Sequence, residues 1–422
     1  MNAPKVITLG CRLNAFESEI IRDHALRAGV TDTVYINTCT VTAEAERQAR
    51  QTIRRQRRDQ PDARIVVTGC AAQLAPEKFI AMDEVDQVLG NEEKLEPSRY
   101  LKTADEADVA VTDIMTVKET ASHLISGFDG RARAFVQIQQ GCDHRCTFCI
   151  IPFARGNNRS LERDTIVKQT RKLVGAGFAE IVLTGVDICS YGGDLPIQST
   201  LGELVQKLLQ AVPELKRLRL TSLDPAAMDD KLYDAIAGEP RVMPHIHLSL
   251  QSMDAMILKR MKRRHSPDDA VRVVERIREI RPGVVFGADL IAGFPTETDS
   301  MFANTLQAVN DLGLTHLHVF PYSERSGTPA AEMPGVDKAV RKQRAQTLRA
   351  AGDKAMAAYM QGMVGKDARV LVERPDKGMT EHYVDVALDG NGVAGDILEI
   401  RITGVVDGQF TGQHLTDQNF TG

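Results

Sequence analysis

Residues 141–149, GCDHRCTFC, decide the architecture of this chain because they place three cysteines in one short loop. Cys142, Cys146 and Cys149, here called the motif cysteines, follow the spacing C-x3-C-x2-C after the apolar run AFVQIQ (134–139). Thiolates hold iron–sulfur clusters, and three of them leave one iron of a four-iron cluster open to an outside ligand. Zinc or three structural thiols are the alternatives, but zinc sites usually use paired Cys/His knuckles, and no second pair lies nearby at that spacing.

The sequence around this loop predicts six strand-and-helix units between residues 131 and 360. The apolar runs that read as strands are AFVQIQ, EIVLTGV, LRLTSL, HIHLSL, VVFGADLIAG and HLHVFPY. Helical patterns such as DTIVKQTRKLVGAG and PDDAVRVVERIREI separate them. Six parallel strands with alternating helices predict an α/β fold, an open partial (βα)6 barrel whose active site lies on the loops at the carboxyl ends of its strands.

Residues 1–115 carry a second set of three cysteines. The runs KVITLGC, TVYINTC and RIVVTGC end in Cys11, Cys39 and Cys70, the N-terminal cysteines, which lie 28 and 31 residues apart. A helical stretch follows each run, so we expect a parallel α/β domain with all three cysteines at one edge of its sheet. Each cysteine alone could be a small residue at a tight turn, but three in register favour a shared metal site.

Residues 364–422 change to the alternation that is typical of antiparallel strands. The segments ARVLVER, HYVDVAL and DILEIRITGV alternate with period two, and the turn segments PDKG and DGNG separate them. This pattern predicts a small C-terminal β-barrel or sandwich, a fold that often holds nucleic acid.

The composition excludes several classes of protein. With 422 residues, 43% hydrophobic and 26% charged, the chain is neither disordered nor collagenous. No apolar run reaches the roughly 18 residues of a membrane span, and no export signal precedes the first strand, so we expect a cytoplasmic protein. Seven cysteines then favour metal or redox use over disulfides. A net charge of −5 requires any nucleic-acid site to be a local basic patch.

The motif cysteines, with Phe148 before the last of them, resemble the radical S-adenosylmethionine superfamily. The N-terminal cysteines and the C-terminal domain, which is similar to a TRAM module, resemble its methylthiotransferases. The resemblance covers essentially the whole chain through TLGCRLNAFESE, INTCTVTAEAE, VTGCAAQ, GCDHRCTFCIIPFARG, LTGVDI, LSLQS, DLIAGFPTET and PYSERSGTPA. The segments CIIPFARG and PYSERSGTPA look most like the branch that acts on N6-threonylcarbamoyladenosine at position 37 of tRNA. Sister branches act on isopentenyladenosine in tRNA or on an aspartate of a ribosomal protein, and these stay open as alternatives.

This resemblance implies two [4Fe-4S] clusters, one on each cysteine set, and S-adenosylmethionine as a cofactor. The cofactor at the motif cysteines would yield a 5′-deoxyadenosyl radical that abstracts hydrogen from C2 of the modified adenine. The N-terminal cysteines would hold the sulfur that ends on C2. We also expect tRNA and an electron donor such as flavodoxin or ferredoxin as partners, and a monomer. A non-catalytic iron–sulfur electron carrier and a simple RNA-binding protein are the rival classes.

The resemblance also implies contacts to the cofactor from the motif loop and from the later barrel strands and the loops after them. They are Phe148, Thr184, Gly185, Val186, Ser222, Gln251 and Gly287. Ordinary strand-to-loop turns and packing glycines explain several of these residues equally well. Cys189 reads as an incidental thiol.

Arginines supply the predicted contacts to RNA and substrate. Arg47, Arg50, Arg54 and Arg58, the arginine stripe, share one face of a helix, and Val41, Ala45, Ala49 and Ile53 share the opposite face. A stripe this one-sided favours phosphate contact, although a solvated helix face is the plainer interpretation of any one residue. A second basic patch comprises Lys259, Arg260, Lys262, Arg263 and Arg264. Arg155, Arg159 and Arg325 could bind the carboxylate of a threonylcarbamoyl group, or they could brace loops.

Overall fold

The protein is described by a computed structural model that covers residues 2–101, 109–118, 132–390 and 392–415. The ends of two predicted domains, residue 131 of the barrel and residue 422 of the tail, lie outside these residues. Within the described part, a five-stranded sheet, two three-stranded sheets and a closed β-barrel follow one another along the chain. The predicted fold class is confirmed.

The N-terminal sheet is parallel, with its strands in sequence order. Its strands are β1 (Lys5–Thr8), β2 (Thr33–Thr38), β3 (Arg64–Gly69), β4 (Gln87–Leu89) and β5 (Val109–Ala110). Its helices are α1 (Arg12–Arg27), α2 (Ala43–Asp59), α3 (Cys70–Leu74) and α4 (Pro76–Ile80). Every residue of β2 is buried, because helices cover both faces of the sheet. The sequence did not predict β4 and β5, which have only three and two residues.

The central region contains the six predicted parallel strands in two groups of three. The first group is β6 (Arg133–Gln137), β9 (Glu180–Thr184) and β10 (Arg217–Arg219), and the second is β11 (His245–Gln251), β12 (Val285–Ala292) and β13 (Leu314–Pro321). Two isolated bridges, Leu218 to Val242 and Leu223 to Leu248, join the groups into one curved wall. A short antiparallel pair, β7 (Gln139–Gln140) and β8 (Arg159–Ser160), flanks the loop of the motif cysteines.

Helices cover the outside of this wall and enclose the largest hydrophobic core. They are α5 (Ile151–Arg155), α6 (Arg163–Gly175), α7 (Leu201–Ala211), α8 (Asp230–Gly238), α9 (Ala255–Arg260), α10 (Pro267–Ile280) and α11 (Asp299–Asp311). In α10, Val273, Val274 and Ile277 form the buried face, and the Ser266–Asp269 capping box fixes where the helix begins. None of the helices in the described ranges has the length and apolar character that crossing a bilayer requires.

The C-terminal barrel follows the long helix α12 (Lys338–Met363) and closes in the order β14-β15-β16-β18-β17. Its strands are β14 (Asp367–Arg374), β15 (Lys377–Thr380), β16 (Asp385–Ala387), β17 (Ile397–Val406) and β18 (Gln409–His414). The segment HYVDVAL was predicted as one strand, and that prediction is wrong in its first half. Tyr383 adopts φ +67° in a turn, and only residues 385–387 of the segment pair as a strand.

This turn attaches the C-terminal barrel to the amino ends of the central strands. Tyr383 stacks on His245 with ring centroids 5.1 Å apart, and its carbonyl oxygen lies 3.1 Å from Nε2 of His316. Arg219 donates to the carbonyl of Glu381 at 3.2 Å and to the buried carboxylate of Glu180 at 2.9 Å. The opposite, carboxyl ends of the strands therefore stay open for a site.

Candidate active site

The N-terminal cysteines meet at the carboxyl ends of β1, β2 and β3. Cys11 precedes the first residue of α1, Cys39 follows β2, and Cys70 is the first residue of α3. Gly10 has φ +98°, and a Cβ at this position would lie 2.9 Å from Sγ of Cys39. Glycine is therefore required for this close approach. The predicted convergence of these three residues agrees with their placement.

A buried polar network supports the N-terminal cysteines, and its central residue follows the motif cysteines in the chain. Arg155, at the end of α5, donates from Nε to Sγ of Cys70 at 3.0 Å and binds Glu17 and Asn14 through its remaining nitrogens. Lys94 also binds Glu17, at 2.7 Å, and all these charged side chains are almost fully buried. Burial alone would lower the pKa of Arg155, but Cys70 and Glu17 hold it well above its usual value.

The motif cysteines occupy a loop that backbone contacts fix tightly. Gly141 has φ +71°, and a Cβ there would lie 1.8 Å from the carbonyl oxygen of Asn157. The amide of Cys142 donates to the carbonyl of Gly156 at 3.0 Å, and the amide of Cys149 donates to the carbonyl of Cys146 at 3.0 Å. The loop thus holds its three thiols on one side, next to the central strands.

Both sets have the chemistry of thiolate ligands. Burial raises the pKa of Cys39 to about 11 and that of Cys149 to about 11, and burial with the Asp187 carboxylate raises that of Cys142 to about 12. These thiols stay protonated at neutral pH, so binding of iron there must release protons. Three soft sulfur ligands in each set, with open space beside them, fit an iron–sulfur cluster with one open iron. Cys189 instead packs against the central core, and burial raises its pKa.

Two cavities connect the cysteine sets. The cluster-loop pocket, of about 170 Å³, is lined by all three motif cysteines and by side chains from the following strands. The central cavity, of about 360 Å³, has Cys11 and Cys149 in its wall and is mostly apolar. Phe148, Val186 and Gln251 line both spaces, so the two cavities adjoin. A molecule in the central cavity would contact both cysteine sets.

Four of the predicted cofactor residues line these cavities next to the first, second and fourth barrel strands. Phe148 follows the first strand, Gly185 and Val186 follow the second, and Gln251 ends the fourth. The sequence analysis missed Gln139, whose Oε1 accepts from the amides of Val186 and Asp187, both at 2.9 Å. Thr184 is buried at the end of β9 and does not line either cavity. Gln251 has φ +66°, a strained conformation that is common at ligand sites.

Ser222 and Gly287 have different outcomes. Ser222 lines the cluster-loop pocket and donates to Oδ2 of Asp289 at 2.7 Å. Gly287 lines neither cavity, and its cofactor contact stays a prediction. A Cβ at Gly287 would lie 2.5 Å from Nδ1 of His247. The glycine makes room for this imidazole instead.

The arginines of the second basic patch do not form one common surface, because each binds other side chains or carbonyls of the protein. Arg260 donates to Thr296 Oγ1 at 2.7 Å, and Arg264 donates to Asp224 at 3.1 Å. Arg263 is partly buried and lines the cluster-loop pocket, where its Nη1 lies 3.8 Å from Sγ of Cys146, and its Nη2 donates to the carbonyl of Ser249 at 2.8 Å and to Asp224 at 3.3 Å. The sequence assigned Arg263 to RNA, whereas its position fits an anionic group beside the motif cysteines.

The three arginines predicted to bind a substrate carboxylate also have internal partners. Arg155 belongs to the buried network described above. Arg159 is 2% exposed and donates to the carbonyl oxygen of Arg155 at 3.1 Å. Arg325 binds Glu46 and donates to Thr40 Oγ1 at 2.8 Å. All three thus have the bracing partners of the alternative interpretation, and none is in the described lining of the central cavity, so their contact with a substrate carboxylate stays a prediction.

The arginine stripe lies on the exposed face of α2, as predicted, while Ala49 and Ile53 are buried beneath it. Arg47 pairs with Glu44, and Arg54 lies 3.7 Å from Glu84. A surface groove of about 550 Å³ beside the helix is lined by Arg54, Arg55 and Arg58, among others. Val41 was predicted on the buried face, but it precedes the helix and is exposed at the rim of the central cavity.

Comparisons with known proteins agree with this geometry. Residues 136–309 match the radical SAM superfamily, and residues 4–90 match the uncharacterized protein family UPF0004. The chain is 49% identical over 404 residues to threonylcarbamoyladenosine tRNA methylthiotransferase MtaB of Rickettsia prowazekii, with 96% of each protein covered. It is 34% identical to the Aquifex aeolicus protein of the same name, covering 94% of this chain and 98% of the relative.

Among solved structures, the radical S-adenosylmethionine methyltransferase TsrM of Kitasatospora setae, with cobalamin and a [4Fe-4S] cluster bound, has a similar fold. Its TM-score is 0.56 at 16% identity, with 78% of this chain and 77% of that chain covered. The similarity at this identity concerns the fold alone. On the identity and coverage of the MtaB relatives, the chain belongs to the radical S-adenosylmethionine methylthiotransferases, in the threonylcarbamoyladenosine tRNA branch.

Proposed function

We propose that this protein transfers a methylthio group to C2 of N6-threonylcarbamoyladenosine at position 37 of tRNA. The observation that carries the proposal is the central cavity, which has a cysteine of each set in its wall. A substrate carbon held there lies between a radical source and a sulfur source, and such positioning removes most of the entropic cost of a reaction between them. The names of the relatives, threonylcarbamoyladenosine tRNA methylthiotransferases, support this choice of substrate.

The motif cysteines would hold one [4Fe-4S] cluster, and the N-terminal cysteines would hold a second. When bound, these clusters and S-adenosylmethionine supply the radical and the sulfur for C2. The chain's own residues position the cofactor. Arg263 is suited to its carboxylate, while Gln251 and Val186 border the same pocket. The amide of Val186 is held by Gln139, which fixes the course of the loop.

The walls of the central cavity protect a reactive species from water. Phe148, Ile291, Phe320 and Tyr322 line it, and Phe148 packs edge-on against Phe294 at 6.5 Å between ring centroids. Aromatic walls also suit the flat faces of an adenine, because bases stack on such side chains. The cavity therefore favours a base that has been turned out of the anticodon loop.

The chain divides this work among three proposed domains. Residues 1–115 would carry the sulfur site, residues 131–360 the radical site, and residues 364–422 a TRAM-like barrel that binds RNA. The arginine stripe and its groove run from the rim of the central cavity, where Thr42 precedes α2, and they would contact the phosphates of the anticodon arm. An electron donor of the flavodoxin or ferredoxin type would complete a monomeric, cytoplasmic enzyme.

Anaerobically reconstituted protein tests this proposal with three anticodon stem-loops that carry threonylcarbamoyladenosine, isopentenyladenosine or adenosine at position 37. Mass spectrometry of the nucleosides should show the methylthio product only from the first, with release of 5′-deoxyadenosine. Conversion of the isopentenyl form alone would assign the protein to the sister branch. RNA binding or electron transfer without 5′-deoxyadenosine would favour the non-catalytic classes.

A further inference from the structure

Three polar side chains lie together on the second group of barrel strands, and one of them borders the central cavity. His247 on β11, Asp289 on β12 and His318 on β13 occupy neighbouring strands. Oδ1 of Asp289 lies 3.1 Å from Nε2 of His247 and 3.1 Å from Nδ1 of His318. Asp289 itself borders the central cavity, where it is the one ionisable carboxylate in the described lining. The methylthio transfer proposed above gives none of these three side chains a role.

The contacts of Asp289 fix the tautomer of His318. Burial would raise the pKa of Asp289, but His247, His318 and Ser222 hold it below its usual range, so the group is a carboxylate. A carboxylate beside Nδ1 of His318 keeps the proton on that nitrogen. Nε2 of His318 is then an acceptor, and it has no hydrogen-bond partner among the described residues. The side chain of His318 is 53% exposed, which leaves this nitrogen accessible.

A cation reaches the same interior from the sulfur site. Arg12 follows Cys11 in the chain, and its Nη2 lies 3.4 Å from the hydroxyl of Tyr383. The carbonyl of Tyr383 contacts His316, which precedes His318 by two residues on the same face of β13. No carboxylate lies within 4 Å of the Arg12 guanidinium in the part of the chain that the structure describes. Arg12 is therefore a partly buried cation without an ionic partner.

We propose that Arg12, His318 and Asp289 bind the N6 substituent of the substrate and so determine which modified adenosine is accepted. This inference rests on the proposed function, because it assigns a binding partner to each polar group of a threonylcarbamoyl substituent. Its carboxylate pairs with Arg12, its hydroxyl donates to Nε2 of His318, and a urea N–H donates to Asp289. An isopentenyl group would offer no partner to the Arg12 guanidinium or to Nε2 of His318, so both would be desolvated without compensation, which costs binding energy at each.

The arrangement also explains why Gly287 has no side chain. It lies on β12 two residues before Asp289, and a Cβ there would displace His247. His247 in turn packs against His318, with ring centroids 4.6 Å apart. His247 and Gly287 thus position His318, while Arg12 and Asp289 contact the substituent.

The test compares two stem-loops, one with threonylcarbamoyladenosine and one with its threoninamide analogue, in which an uncharged amide of similar size replaces the carboxylate. Wild-type holoenzyme should prefer the first in kcat/KM by about 10- to 150-fold, the range of a hydrogen-bonded charge pair. Arg12→Met should lower the value for the carboxylate substrate by this factor, mainly through KM, and leave the amide nearly unchanged. His318→Ala should weaken both substrates. Arg272→Met, on the outside of α10, is the matched control.

Anisotropy measurements of stem-loop binding should repeat this pattern, and Arg272→Met should keep the wild-type rate of 5′-deoxyadenosine release without RNA. If wild type converts both stem-loops equally well, or Arg12→Met keeps the full preference, the inference is overturned while the proposed function stands. If wild type converts neither stem-loop, the proposed function has failed. A divalent metal bound to wild type in addition to cluster iron, and lost from His318→Ala, would assign the His247–Asp289–His318 group to a metal instead.

Discussion

Replacing Arg155 with Met should destabilise the protein far more than any surface arginine does. The change removes the donor to Cys70 Sγ and the contacts to Asn14, and it leaves the buried Glu17 with Lys94 as its remaining charged partner. Breaking a buried ion pair by removing one member typically costs about 3–5 kcal/mol, because the remaining charge stays desolvated. We expect the free energy of unfolding of the apoprotein to fall by this amount.

Urea unfolding followed by far-UV circular dichroism measures this loss, since the chain has no tryptophan. Arg272→Met, which breaks an exposed pair, should cost less than about 1 kcal/mol. Glu17→Gln and the double variant complete a cycle, in which the double variant should recover part of the loss, because the carboxylate that lost its arginine partner is gone. A loss below 1 kcal/mol for Arg155→Met, or strict additivity in the cycle, would refute the assigned network.

Three further results are expected. Changing all N-terminal cysteines to Ala should leave reductive cleavage of S-adenosylmethionine but abolish methylthio transfer; loss of cleavage from a protein with the motif-cysteine cluster intact would contradict the division of roles. Changing Arg47, Arg50 and Arg54 to Gln should lower the salt dependence of tRNA binding by about one unit of slope for each lost phosphate contact, and an unchanged slope would leave the stripe as a solvated face. Burial would raise the pKa of Glu180, but Arg219 and its neighbouring arginines lower it, so its stabilising effect is present above the unfolded pKa of about 4.3 and is lost as the pH falls through the lower folded pKa. Glu180→Gln should therefore lower the midpoint of urea unfolding at pH 7, and the difference from wild type should shrink at pH values below the folded pKa; a pH-independent difference would contradict this assignment.

Sequence periodicity was sufficient for the parts of the fold that repeat. Three β-branched runs ending in cysteine predicted β1, β2 and β3, and parallel topology then required their carboxyl ends to meet. The strands β4 and β5 were not predictable, because two or three residues cannot show a period. The turn at Tyr383 was missed because its alternation resembles a strand, whereas docking against His245 and His316 overrides that tendency.

The candidate site was likewise predictable only in part from the sequence. The convergence of the cysteines could be predicted from spacing, since the motif cysteines share one loop and the N-terminal cysteines are in register in the sheet. The partners of arginines could not, because they lie far away in the chain: Arg155 meets Glu17 across 138 residues, and Arg325 meets Glu46 across 279. That Arg12 has no carboxylate partner among the described residues could not be predicted either, because only the folded chain defines which groups surround it.

Mass spectrometry of tRNA nucleosides from a strain that lacks this protein tests the central claim most directly. The 2-methylthio derivative of N6-threonylcarbamoyladenosine should disappear, and the unthiolated nucleoside should accumulate in its place. The wild-type gene should restore the derivative, while a gene with all motif cysteines changed to Ala should not. An unchanged level of this derivative, or loss of the isopentenyl derivative instead, would contradict the account.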